Sequence, residues 1–187
     1  MTMHPTRFPY LQIGFHLLEI IVSVLVLSIG ITGVLKLQIV AMQTGQHVYF
    51  YSEAQLLAVE IAEIISAPIM SKARPNDSPL LKVDFQATRD QINSNQLCFQ
   101  TDCNPEQLAS AYLAEWLNRL TNTLPDARAK ICLDDVPWDD TTNDFTWDCV
   151  ATGNGASAVI KLGWAEKSDG ATETAPRLIL PVASQLN

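Results

Sequence analysis

The stretch GFHLLEIIVSVLVLSIGITGVLK, Gly14 to Lys36, decides how the rest of the chain is read. From Ile20 to Leu35 it holds no charged residue. Extended back to Ile13 across Glu19 it reaches 23 residues, about 34 Å as a helix at ~1.5 Å per residue, enough to cross a hydrocarbon core of ~30 Å. Leu, Ile and Val dominate it, and Gly30 and Gly33 are better tolerated in a membrane helix than in a soluble one. The run is longer than the apolar core of a secretory signal peptide, and Ile39-Val40-Ala41 is a poor small-x-small cleavage site.

A plain membrane anchor does not explain Glu19. A carboxylate in a membrane helix is costly when ionised and unpaired, on the order of a few kcal/mol, and therefore marks function. The nearest basic side chains are Arg7, twelve residues upstream, and Lys36, at the far end of the run. A cut after Gly14 would create a closer positive charge. Phe15 would then present an α-amino group four residues before Glu19, one helical turn or about 6 Å along the axis.

Outside this stretch the charge changes abruptly. Of the 32 charged side chains among 187 residues, only Arg7, Glu19 and Lys36 precede Glu53. The whole chain carries −8, and the part beyond residue 52 carries 10 basic and 19 acidic residues. Such a balance repels phosphate backbones and anionic headgroups, so nucleic acid is not an expected partner.

Gly14-Phe15-His16-Leu17-Leu18-Glu19 followed by the apolar run resembles the class III signal of type IV prepilins. The resemblance implies that a prepilin peptidase cuts between Gly14 and Phe15 and that Phe15 is N-methylated. It also implies that Glu19 is the assembly carboxylate, which pairs with a terminal amine as the filament forms. His16 stands where threonine or serine is usual, and the leader, residues 1–14, has only Arg7 as a firm positive charge. Cleavage would remove Arg7 and take the net charge from −8 to −9.

No proline occurs between Pro9 and Pro68, so a single helix is expected from about Phe15 to Ala67. Its halves are a transmembrane part, 15–40, and an amphipathic part, 41–67. In the second, Phe50, Ala54, Leu57, Ala58, Ile61, Ile64 and Ile65 form a helical stripe that leaves Glu53, Glu60 and Glu63 off it. A separate helix starting after Gly45 is the alternative. Residues 68–187 then form a periplasmic α+β domain. Within it, Lys72 to Pro79 reads as a connecting loop. Asn104-Pro105-Glu106-Gln107 is a helix start, with a capping asparagine, proline at the first position and glutamine at the capping-box position. Ala109, Leu113, Trp116, Leu117, Leu120 and Leu124 mark the buried face of that helix. Four strand-like segments follow, Ala129–Leu133, Phe145–Ala151, Ala158–Trp164 and Leu178–Val182, separated by Pro137, Gly153-Asn154-Gly155 and Ser168-Asp169-Gly170. The expected fold class is α+β and pilin-like: a long N-terminal helix packed on a small antiparallel meander, with one additional helix.

Cys98, Cys103, Cys132 and Cys149 all lie beyond the membrane segment. They lack a C-x2-C knuckle, and His47 is the only aqueous histidine, so disulfides are expected rather than zinc. Four cysteines allow three connectivities. The favoured one joins Cys98 to Cys103 across a short loop and Cys132 to Cys149 across adjacent strands. Asp134, Asp135, Asp139, Asp140, Asp144 and Asp148 do not follow the calcium-loop spacing, which has a turn glycine and a closing glutamate; a solvated acidic loop is expected there. No nucleophile elbow, phosphate loop or paired-histidine zinc motif occurs, so neither catalytic residues nor a cofactor or metal are proposed from the sequence.

The second resemblance is to PilV-type minor pilins. Tyr49, Ser52, Gln55-Leu56-Leu57-Ala58 and Ala62-Glu63-Ile64-Ile65 are similar to part of that pattern. So are Cys103-Asn104-Pro105-Glu106-Gln107-Leu108-Ala109, Ala114-Glu115-Trp116, Leu124-Pro125 and Gly163-Trp164-Ala165-Glu166. The resemblance implies a non-enzymatic pilus subunit that primes assembly and sits in the tip complex, serving twitching motility and adhesion. The partners it implies are other minor and major pilins, the prepilin peptidase, the inner-membrane assembly platform and a PilY-type tip adhesin. It implies residence in the bacterial inner membrane, single-pass with a periplasmic C-terminal domain, and then in the pilus at the cell surface. A type II secretion pseudopilin shares the same front end. A periplasmic binding domain on an uncut signal anchor is the alternative from another class.

Overall fold

A computed structural model describes residues 16–67, 78–92, 98, 102–152, 156–166 and 175–182. The leader 1–14, Phe15 and the two glycine turns at 153–155 and 168–170 lie outside them. The chain divides into two compact units at the 46/47 boundary.

The first helix, α1, runs His16–Ser66 and includes Gly45. Its residues 17–46 expose every side chain. From residue 47 on the stripe read from the sequence is buried: Ala54, Leu57, Ala58 and Ile61 enter the core, and Phe50, Ile64 and Ile65 pack against it. The burial is spaced three and four residues apart because that is how one face of a helix recurs.

The second helix, α2, spans Pro105–Thr123. Its start is built as the local sequence dictates. The Gln107 amide donates to Asn104 Oδ1 at 2.8 Å, and Gln107 Oε1 accepts from the Asn104 amide at 3.0 Å, so two otherwise orphaned N–H groups are satisfied. Ala109, Trp116, Leu117 and Leu120 are buried, with Leu124 just beyond. Two side chains of α2 fasten it to α1. The Trp116 Nε1–H donates to the Leu57 carbonyl at 2.9 Å, and the Arg119 guanidinium grips both Glu60 carboxylate oxygens.

Four strands form an antiparallel sheet in the order β1-β2-β5-β6: β1 Val83–Gln86, β2 Arg128–Leu133, β5 Ala158–Gly163 and β6 Leu178–Val182. β3 Trp138–Asp139 and β4 Asp144–Phe145 make a separate small hairpin between β2 and β5. The long sheet has two unlike faces because strand side chains alternate. Two cross-strand rows, Val83-Ile131-Ile160-Leu180 and Phe85-Ala129-Leu162-Leu178, turn to the core shared with the helices. The opposite face carries Asp84, Lys130 and Lys161 in one row and Cys132 and Val159 in the next.

Of the expected loop Lys72 to Pro79, residues 72–77 lie outside the described residues; Pro79 opens a 3-10 turn, Pro79–Leu81, capped by Ser78 and followed by β1, whose apolar alternation, Val83 and Phe85, spans only four residues and is not readable in the sequence. Two expectations need correction. Phe145–Ala151 is not a strand. Only Asp144–Phe145 is extended in a ladder, since Cys149 and the residues around it are held by the disulfide and by side chains instead of a neighbouring strand. Consequently Cys132–Cys149 joins strand β2 to irregular chain, with Cα atoms 6.2 Å apart, and does not cross between adjacent strands. Cys98–Cys103 closes a short loop before α2, with Cα atoms 5.7 Å apart.

Loop-closure entropy makes the two disulfides unequal. Replacing Cys132 and Cys149 by serine is expected to cost about 3 kcal/mol, and the same change at Cys98 and Cys103 about 2 kcal/mol. Urea unfolding of the full chain in neutral micelles checks the order through the midpoint of each transition.

Candidate functional site

The head of α1 is the first candidate. Gly14 and Phe15 lie outside the described residues, while Glu19 lies in the helix's first turn. There the partial positive charge of the helix N-terminus favours a carboxylate by about 0.3–1 kcal/mol. The next polar groups have been internalised. Ser23 Oγ donates to the Glu19 carbonyl at 2.7 Å, Ser28 Oγ to the Val24 carbonyl at 2.6 Å and Thr32 Oγ1 to the Ile29 carbonyl at 2.9 Å. Those are all the hydroxyls between Ile20 and Leu35. A helix in lipid must satisfy its polar groups within itself, and these three do so. Among the described residues, nothing basic forms an ion pair with Glu19. The helix is long and apolar enough to cross a membrane, and its N-terminal part is a candidate membrane anchor.

The second candidate is the segment 134–152, which lies over the outer face of the sheet. Lys161 occupies the middle of β5, where its register partner is Lys130. Two ammonium groups side by side on one face would repel each other, and the fold separates them. Lys130 turns to Asp84 at 3.1 Å, whereas Lys161 points under the segment, fully buried. Its Nζ meets Asp134 Oδ2 at 2.5 Å and donates to the Thr146 and Asp148 carbonyls at 2.8 and 2.5 Å. The other carboxylate oxygen of Asp134 accepts from the amides of Val136 and Val150 at 3.0 and 3.2 Å.

Burial by itself would raise the Asp134 pKa, but the Lys161 ammonium and the two amides outweigh it and hold the carboxyl below its ordinary value. Asp134 is therefore not part of a solvated acidic loop as its sequence neighbours suggest. Asp135, Asp140, Asp144 and Asp148 are exposed and Asp139 is half-buried. The Cys132–Cys149 bridge and the Arg128 guanidinium, 4.0 Å above the Trp147 ring, complete the attachment of this segment.

A third cluster surrounds Glu166. Its Oε1 lies 2.8 Å from His47 Nδ1 and accepts from Trp164 Nε1–H at 3.1 Å, while Arg177 Nη1 stands 3.8 Å from Oε2. These contacts tie the start of the buried part of α1 to the end of β5 and form a strut without a nucleophile. Among the described residues, no group of three or more His, Cys, Asp or Glu side chains is arranged to hold a metal ion.

Glu19 thus stands in the first turn of α1, and the four cysteines are paired in two bridges. The Asp134–Lys161 pair was not foreseen. Its one signal in the sequence was a lysine inside the apolar run Ala158-Val159-Ile160-Lys161-Leu162. Comparison of the chain with known protein families, curated proteins and solved structures finds no match.

Proposed function

We propose that the chain is a minor pilin of the PilV type, a non-enzymatic subunit that is cleaved after Gly14, methylated at Phe15 and incorporated at the start of pilus assembly. The observation that carries this reading is Glu19. It is a lone carboxylate in the first turn of an exposed apolar helix whose neighbouring hydroxyls are already satisfied, four residues along the chain from the junction where cleavage would create an amine. Such a group is costly in lipid and useful in a bundle of like helices, where another subunit's terminus can pair with it. The glycines support the same use. A Cβ at Gly30 or Gly33 would meet nothing within 4 Å in the chain itself. Each glycine costs about 1 kcal/mol relative to alanine in a helix, and close approach of a neighbouring helix is a reason to keep them.

The expected result for Glu19→Ala is normal cleavage with at least a tenfold loss of incorporation into sheared filaments, read by immunoblot against the membrane fraction. Unchanged incorporation and piliation would remove the proposed mechanism. N-terminal mass spectrometry separates the competing readings. N-methyl-Phe15 supports a pilin or the related type II secretion pseudopilin, and an intact Met1 supports a signal-anchored periplasmic binding domain. Filaments retained in a strain lacking type II secretion then decide between the first two.

A further inference from the structure

The hairpin β3–β4 presents an apolar surface that the core does not use. Val136, Trp138, Phe145 and Val150 are exposed by 49, 40, 38 and 44%. Trp138 and Phe145 are cross-strand partners stacked edge to face, with ring centroids 5.1 Å apart and planes at 86°. A four-residue turn, 140–143, closes the hairpin, with Asn143 in the left-handed region at φ 54°.

Two further features set the chemistry of what can bind. Asp135, Asp140, Asp144 and Asp148 are exposed in the same segment, with Asp144 paired to Asp139 on the face of the hairpin opposite the aromatic pair, and residues 134–152 contain no lysine or arginine. The one ammonium beneath the segment, Lys161, is already engaged with Asp134 and two carbonyls. The surface is also held in place at its base by that pair and by Cys132–Cys149, so little ordering cost remains for binding.

From this combination we propose that the β3–β4 hairpin docks a cationic polypeptide segment, with an arginine or lysine side chain over the Trp138–Phe145 pair and further basic groups reaching round the short hairpin to Asp140 at its turn and Asp144 on its other face. Aromatic faces attract cations, planar guanidinium groups match carboxylates bidentately, and aromatic residues are enriched at the centres of protein interfaces. The same charge disfavours the other occupants. Nucleic acids and anionic membranes are repelled, and so is a second copy of this surface. The surface does not depend on the pilin reading, because no residue of the hairpin belongs to the assembly apparatus proposed above.

The test is calorimetric titration of the full chain in neutral-detergent micelles with hexa-arginine. Saturable 1:1 binding is expected, weakened at least tenfold by Trp138→Ala and by the pair Asp140→Asn/Asp144→Asn. Trp138→Phe, which keeps an aromatic face, should retain most of it. Glu63→Gln/Glu115→Gln, which removes the same charge from the exposed surface of the helices, should leave it unchanged. Near-UV circular dichroism and a thiol assay check that each variant keeps its packing and bridges; if Trp138→Ala does not, Trp138→Leu provides the same contrast. Absence of saturable binding overturns the proposal. So does equal affinity in the variant lacking the aromatic face, or an equal loss from the helix-surface control, since either would reduce the effect to net charge.

Discussion

Asp134→Asn should destabilise the folded unit by about 3–5 kcal/mol, because it leaves the Lys161 ammonium buried without its counter-charge. The substitution is nearly isosteric, and Oδ1 can still accept from the Val136 and Val150 amides, so the loss reports mainly the missing charge. Lys161→Met should be comparably severe. It strands a buried carboxylate and leaves the Thr146 and Asp148 carbonyls without their donor. Combining the two substitutions removes both charges and should recover part of the loss, as expected when a buried ion pair is replaced as a unit. Urea denaturation of the full chain in neutral micelles measures all three. Strictly additive losses would show that the pair is not coupled.

The same pair sets an acid limit. Because the folded-state pKa of Asp134 lies below its unfolded value, the stabilisation is complete above the unfolded carboxyl pKa, near 4, and declines as pH falls through the folded pKa. Stability of the wild type should therefore fall more steeply below about pH 4 than that of the Asp134→Asn variant. Parallel pH profiles of the two unfolding midpoints would contradict this assignment.

Trp116→Ala is expected to cost about 3–5 kcal/mol. The indole is fully buried at the centre of the helix–sheet core, and its N–H is the buried hydrogen bond between α2 and α1. Trp116→Phe divides the effect. It keeps most of the ring volume and removes the bond to the Leu57 carbonyl, which retains its place in the α1 backbone ladder, so roughly 1 kcal/mol is expected for the bond. By comparison Arg119→Ala, which releases Glu60 at a half-exposed site, should cost below about 1 kcal/mol. If the three changes proved equal, the burial of Trp116 would not be what holds α2 in place.

Periodic and local features were legible in the sequence. The capping box at Asn104 is written in four consecutive residues, and the α1 stripe from Ala54 to Ile61 and the α2 face from Ala109 to Leu124 follow from helical spacing alone. The exposed apolar helix head with its single carboxylate was legible for the same reason, since it is a property of one continuous segment. β1 was not, because four residues give alternation too little length to register. The segment 146–150 misled because an apolar composition resembles a strand whether or not a neighbouring strand exists to pair with it.

The sequence by itself determined the two-part character of the chain, the apolar helix with Glu19 at its head, the capped second helix and the apolar core faces. These depend on spacing within a few turns and on covalent order. Only the tertiary structure decided what lies on the outer face of the sheet. There Lys161 and Asp134 are 27 positions apart in the chain and 2.5 Å apart in space. The desolvation of each is tolerable only because the other is present, so neither residue in isolation reveals its state. That mutual dependence buries one aspartate of an acidic run, anchors the segment that follows it and leaves Trp138 and Phe145 exposed among the rest.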